Sequence, residues 1–164
     1  MKKKYLDRYY DTILFGEESG CSITLPMAVL YRALFGQSGQ FLKETCDLSH
    51  AEMDVLTALW ITDTPMSPTE LYEATVLSSG GMTKVLSKLQ EKKLINRLPS
   101  REDKRSMLVQ LNGSGAQTAQ RCIQSLAQQD QDLFAVLSYE EKDFLKHIMK
   151  KLAYASLMQT DEQG

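Results

Sequence analysis

Three serines in this chain each stand three positions ahead of a glutamate, at Ser49–Glu52, Ser67–Glu70 and Ser138–Glu141. In this S-x-x-E pattern the serine oxygen and the carboxylate satisfy N–H groups of a first helical turn, which have no partner inside the helix. Pro68 strengthens the second case, because its fixed φ suits the first helical position and its missing N–H costs nothing there. Three legible helix starts predict a mainly helical chain.

Six helices follow from these starts and from the apolar periodicity. The first is expected over about 24–43, with Val29, Leu30, Leu34 and Leu42 on one side and Gly36 and Gly39 as weak points. The second covers about 50–62, with Met53, Leu56, Leu59 and Trp60 at helical spacing, and Pro65 prevents continuation. A short third spans about 68–75 and a fourth about 79–93. The period then changes. Leu94–Leu98 and Ser106–Leu111 are strand-like runs flanking a charged loop, which predicts a β-hairpin. Asn112 is a suitable N-cap for a fifth helix to about 135, and a sixth is expected over 139–157.

Composition narrows the class. An apolar fraction of 43% and a charged fraction of 24% over 164 residues fit a globular domain. No run approaches the ~20 apolar residues of a membrane-spanning helix, and Asp7, Arg8 and Asp11 interrupt any signal-peptide core, so a cytoplasmic protein is expected. Cys21, Cys46 and Cys122 show no C-x-x-C spacing, and His50 and His147 lie far apart. No metal or other cofactor is therefore expected, and the three cysteines read as free thiols. Cys21, in a Gly/Ser-containing segment, is the candidate for a redox role. No catalytic residue is assigned: neither histidine sits in a nucleophile signature, and Gly80-Gly81 does not follow a strand as a phosphate loop would.

The net charge of −2 conceals an uneven distribution. Residues 84–105 carry eight cations against three acids, a net +5, which leaves −7 for the rest. A polyanion responds to the local field within a Debye length of about 10 Å, not to the whole-molecule sum. On the fourth helix Met82, Val85, Leu86 and Leu89 form one apolar face, and the opposite side collects Gly80, Thr83, Lys84, Ser87 and Lys88. Small residues admit the backbone to a major groove, hydroxyls reach base edges or phosphates, and lysines neutralise charge. Any solvated helix face carries lysines, however. The adjacent loop tips the balance, because Arg101, Lys104 and Arg105 crowd together despite mutual repulsion.

The stretch LSSGGMTKVLSKLQEKKLI from Leu77 to Ile95 resembles the recognition helix of the MarR (multiple antibiotic resistance regulator) family. RLPSREDKRS, from Arg97 to Ser106, resembles that family's wing, with its D-x-R-S signature at Asp103, Arg105 and Ser106. The likeness follows helix order over 24–157 and is specific over about 67–115. It implies a winged helix-turn-helix with 49–111 as the DNA-binding lobe, 24–48 and 112–164 as dimerisation helices from both ends of the chain, and 1–23 as an extension. It also implies a homodimer on a pseudo-palindromic double-stranded DNA operator, acting as a transcription regulator and most simply a repressor.

Under this resemblance Asp103 orients the wing, Arg105 enters the minor groove, and Ser78, Ser79, Gly80, Thr83, Lys84, Ser87, Lys88, Arg101 and Lys104 complete the DNA contacts. A small, frequently aromatic, effector is implied, with Tyr31, Arg32 and Trp60 as candidates, although core packing is the commoner fate of Trp60. Lys93 departs from the family, standing where a glycine is usual. The extension, with Tyr5, Tyr9 and Tyr10, is expected to cover the dimer seam. Two other readings stay open: a winged-helix protein-interaction module, and a redox-sensing regulator using Cys21.

Overall fold

The computed structural model describes Lys4, Asp7, Arg8 and residues 21–75, 79–99 and 107–161. Among these, six longer helices and one hairpin appear: α1 (Cys21–Phe41), α2 (His50–Thr62), α3 (Pro68–Ala74), α4 (Ser79–Glu91), β1 (Ile95–Pro99), β2 (Met107–Leu111), α5 (Gly113–Leu133) and α6 (Tyr139–Asp161). A π turn, Leu42–Cys46, ends α1, and a 3-10 turn, Phe134–Val136, follows α5. The chain divides into two compact units, Met1–Ile123 and Gln124–Gly164. None of the described helices is long and apolar enough to cross a membrane.

The serine caps form as expected. Ser49 and Ser67 each accept the backbone N–H of their glutamate partner, and each glutamate side chain accepts the serine N–H in return. Ser138 does the same with Glu141, at 3.2 and 2.7 Å. Asn112 caps α5 by accepting the Gly115 N–H at 2.9 Å. Helix α1 starts three residues before the expected position and contains Pro26. Gly39 lets α1 approach α2 closely, because a Cβ there would lie 2.6 Å from His50 Cε1. The His50 ring stacks on Phe35 with centroids 3.7 Å apart, and its Nε2 lies 2.8 Å from Ser38 Oγ.

The core of the first unit lies where α2, α3, α4 and the hairpin meet. Val55, Leu56, Leu71, Leu86, Leu89 and Val109 are fully enclosed there. The strands pair antiparallel, with Ile95 opposite Leu111 and Pro99 opposite Met107. Met66, in the α2–α3 connector, adds a bridge the sequence did not announce. It donates to the Val109 carbonyl at 2.9 Å and accepts the Val109 N–H at 2.7 Å.

Two expectations are corrected. Cys46 and Cys122 are not free thiols but a disulfide, although 76 residues separate them. Helix α5 runs back past the π turn and brings Cys122 against Cys46, a return that linear spacing does not encode. Trp60 is not packed in the core but is 40% exposed. Met53, Leu56 and Leu59 take the buried stripe of α2, which leaves Trp60 on the flank of the last turn.

Candidate nucleic-acid interface

Helix α4 is amphipathic in the sense its sequence requires. Met82, Val85, Leu86 and Leu89 are buried against α2, α3 and β1, whereas Thr83, Lys84, Ser87 and Lys88 are exposed. At about 100° per residue these two sets must lie on opposite sides. Among the described residues Lys84 and Lys88 form no ion pair. The Ser87 hydroxyl donates to the Thr83 carbonyl at 3.0 Å, so its oxygen remains available as an acceptor. Ser79 and Gly80 occupy the first turn of α4, and nothing is described of their side chains. Ser78 and the hairpin tip 100–106, with Arg101, Asp103, Lys104 and Arg105, lie outside the described residues, as does the Cys21 side chain.

The end of α4 is held by a network that sequence reasoning missed. Lys92 Nζ lies 2.8 Å from Oε1 of Glu52, a carboxylate only 2% exposed, and it also donates to the Asp47 carbonyl. Glu52 Oε2 accepts the Ser49 N–H at 2.8 Å and the Ser49 hydroxyl at 2.7 Å. Burial opposes the Glu52 charge, but the Lys92 ammonium and the Ser49 donors outweigh it and hold its carboxyl below the usual value of 4.5. Lys92, counted in sequence only as one of the eight cations of 84–105, thus belongs to the frame of the lobe.

Helix α4 stops in a Schellman turn. Leu94 N–H donates to Leu89 O and Lys93 N–H to Gln90 O, with Lys93 at φ 56°. Lys93 therefore adopts the left-handed conformation that a glycine at this position would favour. The hairpin root is then fixed to α5: Asn112 Nδ2 donates to the Lys93 carbonyl at 2.8 Å, and a Cβ on Gly115 would overlap the Leu94 carbonyl oxygen. On β1, Arg97 Nε is buried without a hydrogen-bond partner among the described residues.

Of the effector candidates, Trp60 borders a cavity of about 510 Å³ with Asp63, Thr64, Pro65, Gln110 and Ala116. Tyr31 and Arg32 do not line it. They lie on the exposed surface of α1, where Tyr31 stacks on Phe35 at 5.2 Å. The described residues contain no group of three or more His, Cys, Asp or Glu side chains able to hold a metal ion.

A short helix packed against an amphipathic second helix, followed by a two-stranded hairpin on the same core, is a winged helix-turn-helix. Residues 47–106 match the MarR family model. The multiple antibiotic resistance protein MarR of Escherichia coli is 31% identical over 107 residues, covering 65% of this chain and 74% of that protein. The regulator PecS of Dickeya dadantii is 26% identical, and the match spans 64% of each chain, just under two thirds of that relative's length. A crystal structure of mutant E. coli MarR complexed with operator DNA aligns with TM-score 0.64 and 27% identity, over 82% of this chain and 99% of that one. The chain belongs to the MarR family.

Proposed function

We infer that this protein is a sequence-specific, double-stranded-DNA-binding transcription regulator, with α4 in the major groove and the hairpin at the minor groove. The observation that carries this reading is the exposed row Thr83, Lys84, Lys88 on the outer side of a helix whose inner side is locked into the lobe core. The operator-DNA complex of the related MarR is consistent with it. In this reading Ser78, Ser79, Gly80, Ser87, Arg101 and Lys104 add contacts, Asp103 orients the wing and Arg105 enters the minor groove. The protein acts in the cytoplasm and is not an enzyme.

The partner arrangement is a homodimer on a pseudo-palindromic site, built from 24–48 and 112–164, with 49–111 as the lobe and 1–23 covering the seam. Exposed apolar side chains support it: Leu25, Leu30 and Phe35 on α1, and Phe144, Met149 and Leu157 on α6. Large exposed apolar sets mark interaction surfaces. Regulation is repression relieved by a small effector, for which the Trp60 cavity is the candidate site. Such a ligand acts by favouring a lobe spacing that no longer matches successive major grooves, about 34 Å apart.

The test is selection of bound duplexes from a random library, followed by a salt titration of the recovered site. Two-fold symmetric sites and a steep fall of affinity with salt, about −0.9 in log–log slope per phosphate neutralised, are expected. Failure to retain any duplex would overturn the reading in favour of a protein-interaction module.

A further inference from the structure

The disulfide lies in a mechanically sensitive place. Cys46 closes the π turn through which the chain enters the lobe, three residues before the Ser49 cap. Cys122 lies on α5, the helix through which the chain leaves the lobe after the hairpin. The next residue after Cys46 is Asp47, whose carbonyl accepts from Lys92 and whose carboxylate lies 3.7 Å from the same ammonium. Lys92 directly follows α4. A short path therefore runs from Cys122 through Cys46 and Asp47 to the end of the candidate recognition helix.

We propose that Cys46 and Cys122 form a reversible dithiol–disulfide pair, a modification site whose redox state is felt at the end of α4. The proposal rests on the cytoplasmic, DNA-binding reading above, because disulfides in a reducing compartment are seldom static and usually serve catalysis or redox sensing. The co-reactant is a small-molecule disulfide such as oxidised glutathione. Exposure sets the order of events, since Cys46 is partly accessible and Cys122 is fully buried. The Cys46 thiol loses its proton to water, and its thiolate attacks one sulfur of the small disulfide, breaking that S–S bond and expelling one small thiolate. The Cys122 thiolate, its proton also passed to water, then attacks Cys46 Sγ and expels the second. Two protein thiols are oxidised and one small disulfide is reduced to two thiols.

Once formed, the bond fixes Cys46 to α5 and so limits how far Asp47 can move from Lys92. Once reduced, the π turn is held only by non-covalent contacts, and the α4 end loses part of its restraint. The pair thus couples the thiol–disulfide balance of its surroundings to the orientation of the helix end.

The full-length protein, equilibrated in glutathione buffers of graded redox ratio, should be alkylated and mapped by mass spectrometry, with amide hydrogen exchange read at 88–94. The expected result is a Cys46–Cys122 crosslink that forms and reverses, with exchange at Lys92 and Lys93 at least fivefold faster when reduced. Cys122→Ala should trap glutathione on Cys46 and lose the exchange difference, while Cys46→Ser should take up none at Cys122. A crosslink that never reverses, or identical exchange in both states, overturns the proposal. Duplex binding is measured separately, so that its absence counts against the functional reading, while crosslink and exchange alone judge the thiol pair.

Discussion

Lys92 Nζ lies 2.8 Å from Glu52 Oε1, joining the residue after the candidate recognition helix to the first turn of α2. The carboxylate is almost wholly buried, so its charge is tolerable only with the ammonium and the two Ser49 donors in place. Lys92→Met should therefore destabilise the protein by about 3 kcal/mol, the cost of leaving a buried charge unpaired. Urea denaturation at neutral pH measures it, and a loss below about 0.5 kcal/mol, the scale of an exposed pair, would remove the pair from the frame.

The same pair has a pH signature. The Glu52 carboxyl is held below its usual value of 4.5, so the folded state favours its charged form. Its contribution is fully present above about 4.5 and is lost as pH falls through the lower folded value. Glu52→Gln should flatten the acid limb of the stability–pH curve in that range. An unchanged acid limb in the variant would assign acid lability to other groups.

Lys93 adopts φ 56°, a conformation that costs a side-chain-bearing residue free energy and costs glycine little. Lys93→Gly should stabilise the lobe by about 1 kcal/mol, after allowance for the greater freedom of the unfolded chain. Thermal unfolding provides the measurement, with a rise in Tm of a few degrees expected. A fall would mean that the lysine side chain contributes more than its backbone costs.

Gly115 has the opposite constraint. Any Cβ there meets the Leu94 carbonyl, which is backbone and cannot rotate away. Gly115→Ala should cost about 3 kcal/mol by forcing α5 off the hairpin root, whereas Gly113→Ala, which meets nothing within 4 Å, should be tolerated. Denaturation midpoints of the two variants give the comparison, and equal midpoints would show that α5 shifts freely.

On the exposed side of α4, Lys84→Ala should reduce the magnitude of the salt-dependence slope of duplex binding by about 0.9 if the lysine neutralises one phosphate. Thr83→Ala should instead narrow the affinity gap between the selected site and a scrambled one. Anisotropy titrations at several salt concentrations distinguish the two effects. Slopes unchanged by Lys84→Ala would move the phosphate contact elsewhere.

Much of this architecture was legible because helix starts are encoded locally. The serine boxes, Pro68 and Asn112 each act within one turn, and the order of helices and hairpin could be read from them. The amphipathic face of α4 was legible for the same reason, being a periodicity within one element. Long-range returns of the chain were not. Lys92 looks identical to Lys88 in sequence, and only the position of Glu52 forty residues earlier makes one structural and leaves the other exposed. Cys46 and Cys122 carried no spacing signal, and Met66 reached Val109 from a connector with no strand pattern. The outward position of Trp60 depended on which side of α2 the lobe covers.

The bridge between Met66 and Val109 ties β2 to the connector between α2 and α3. At that point β2 is paired on both sides, to Arg97 of β1 and to Met66, and the Leu94–Gly115 contact fixes the root against α5. The root contacts all lie among residues 66, 94–97, 109–111 and 115, so a change of sequence confined to 100–106 replaces none of the groups that make them.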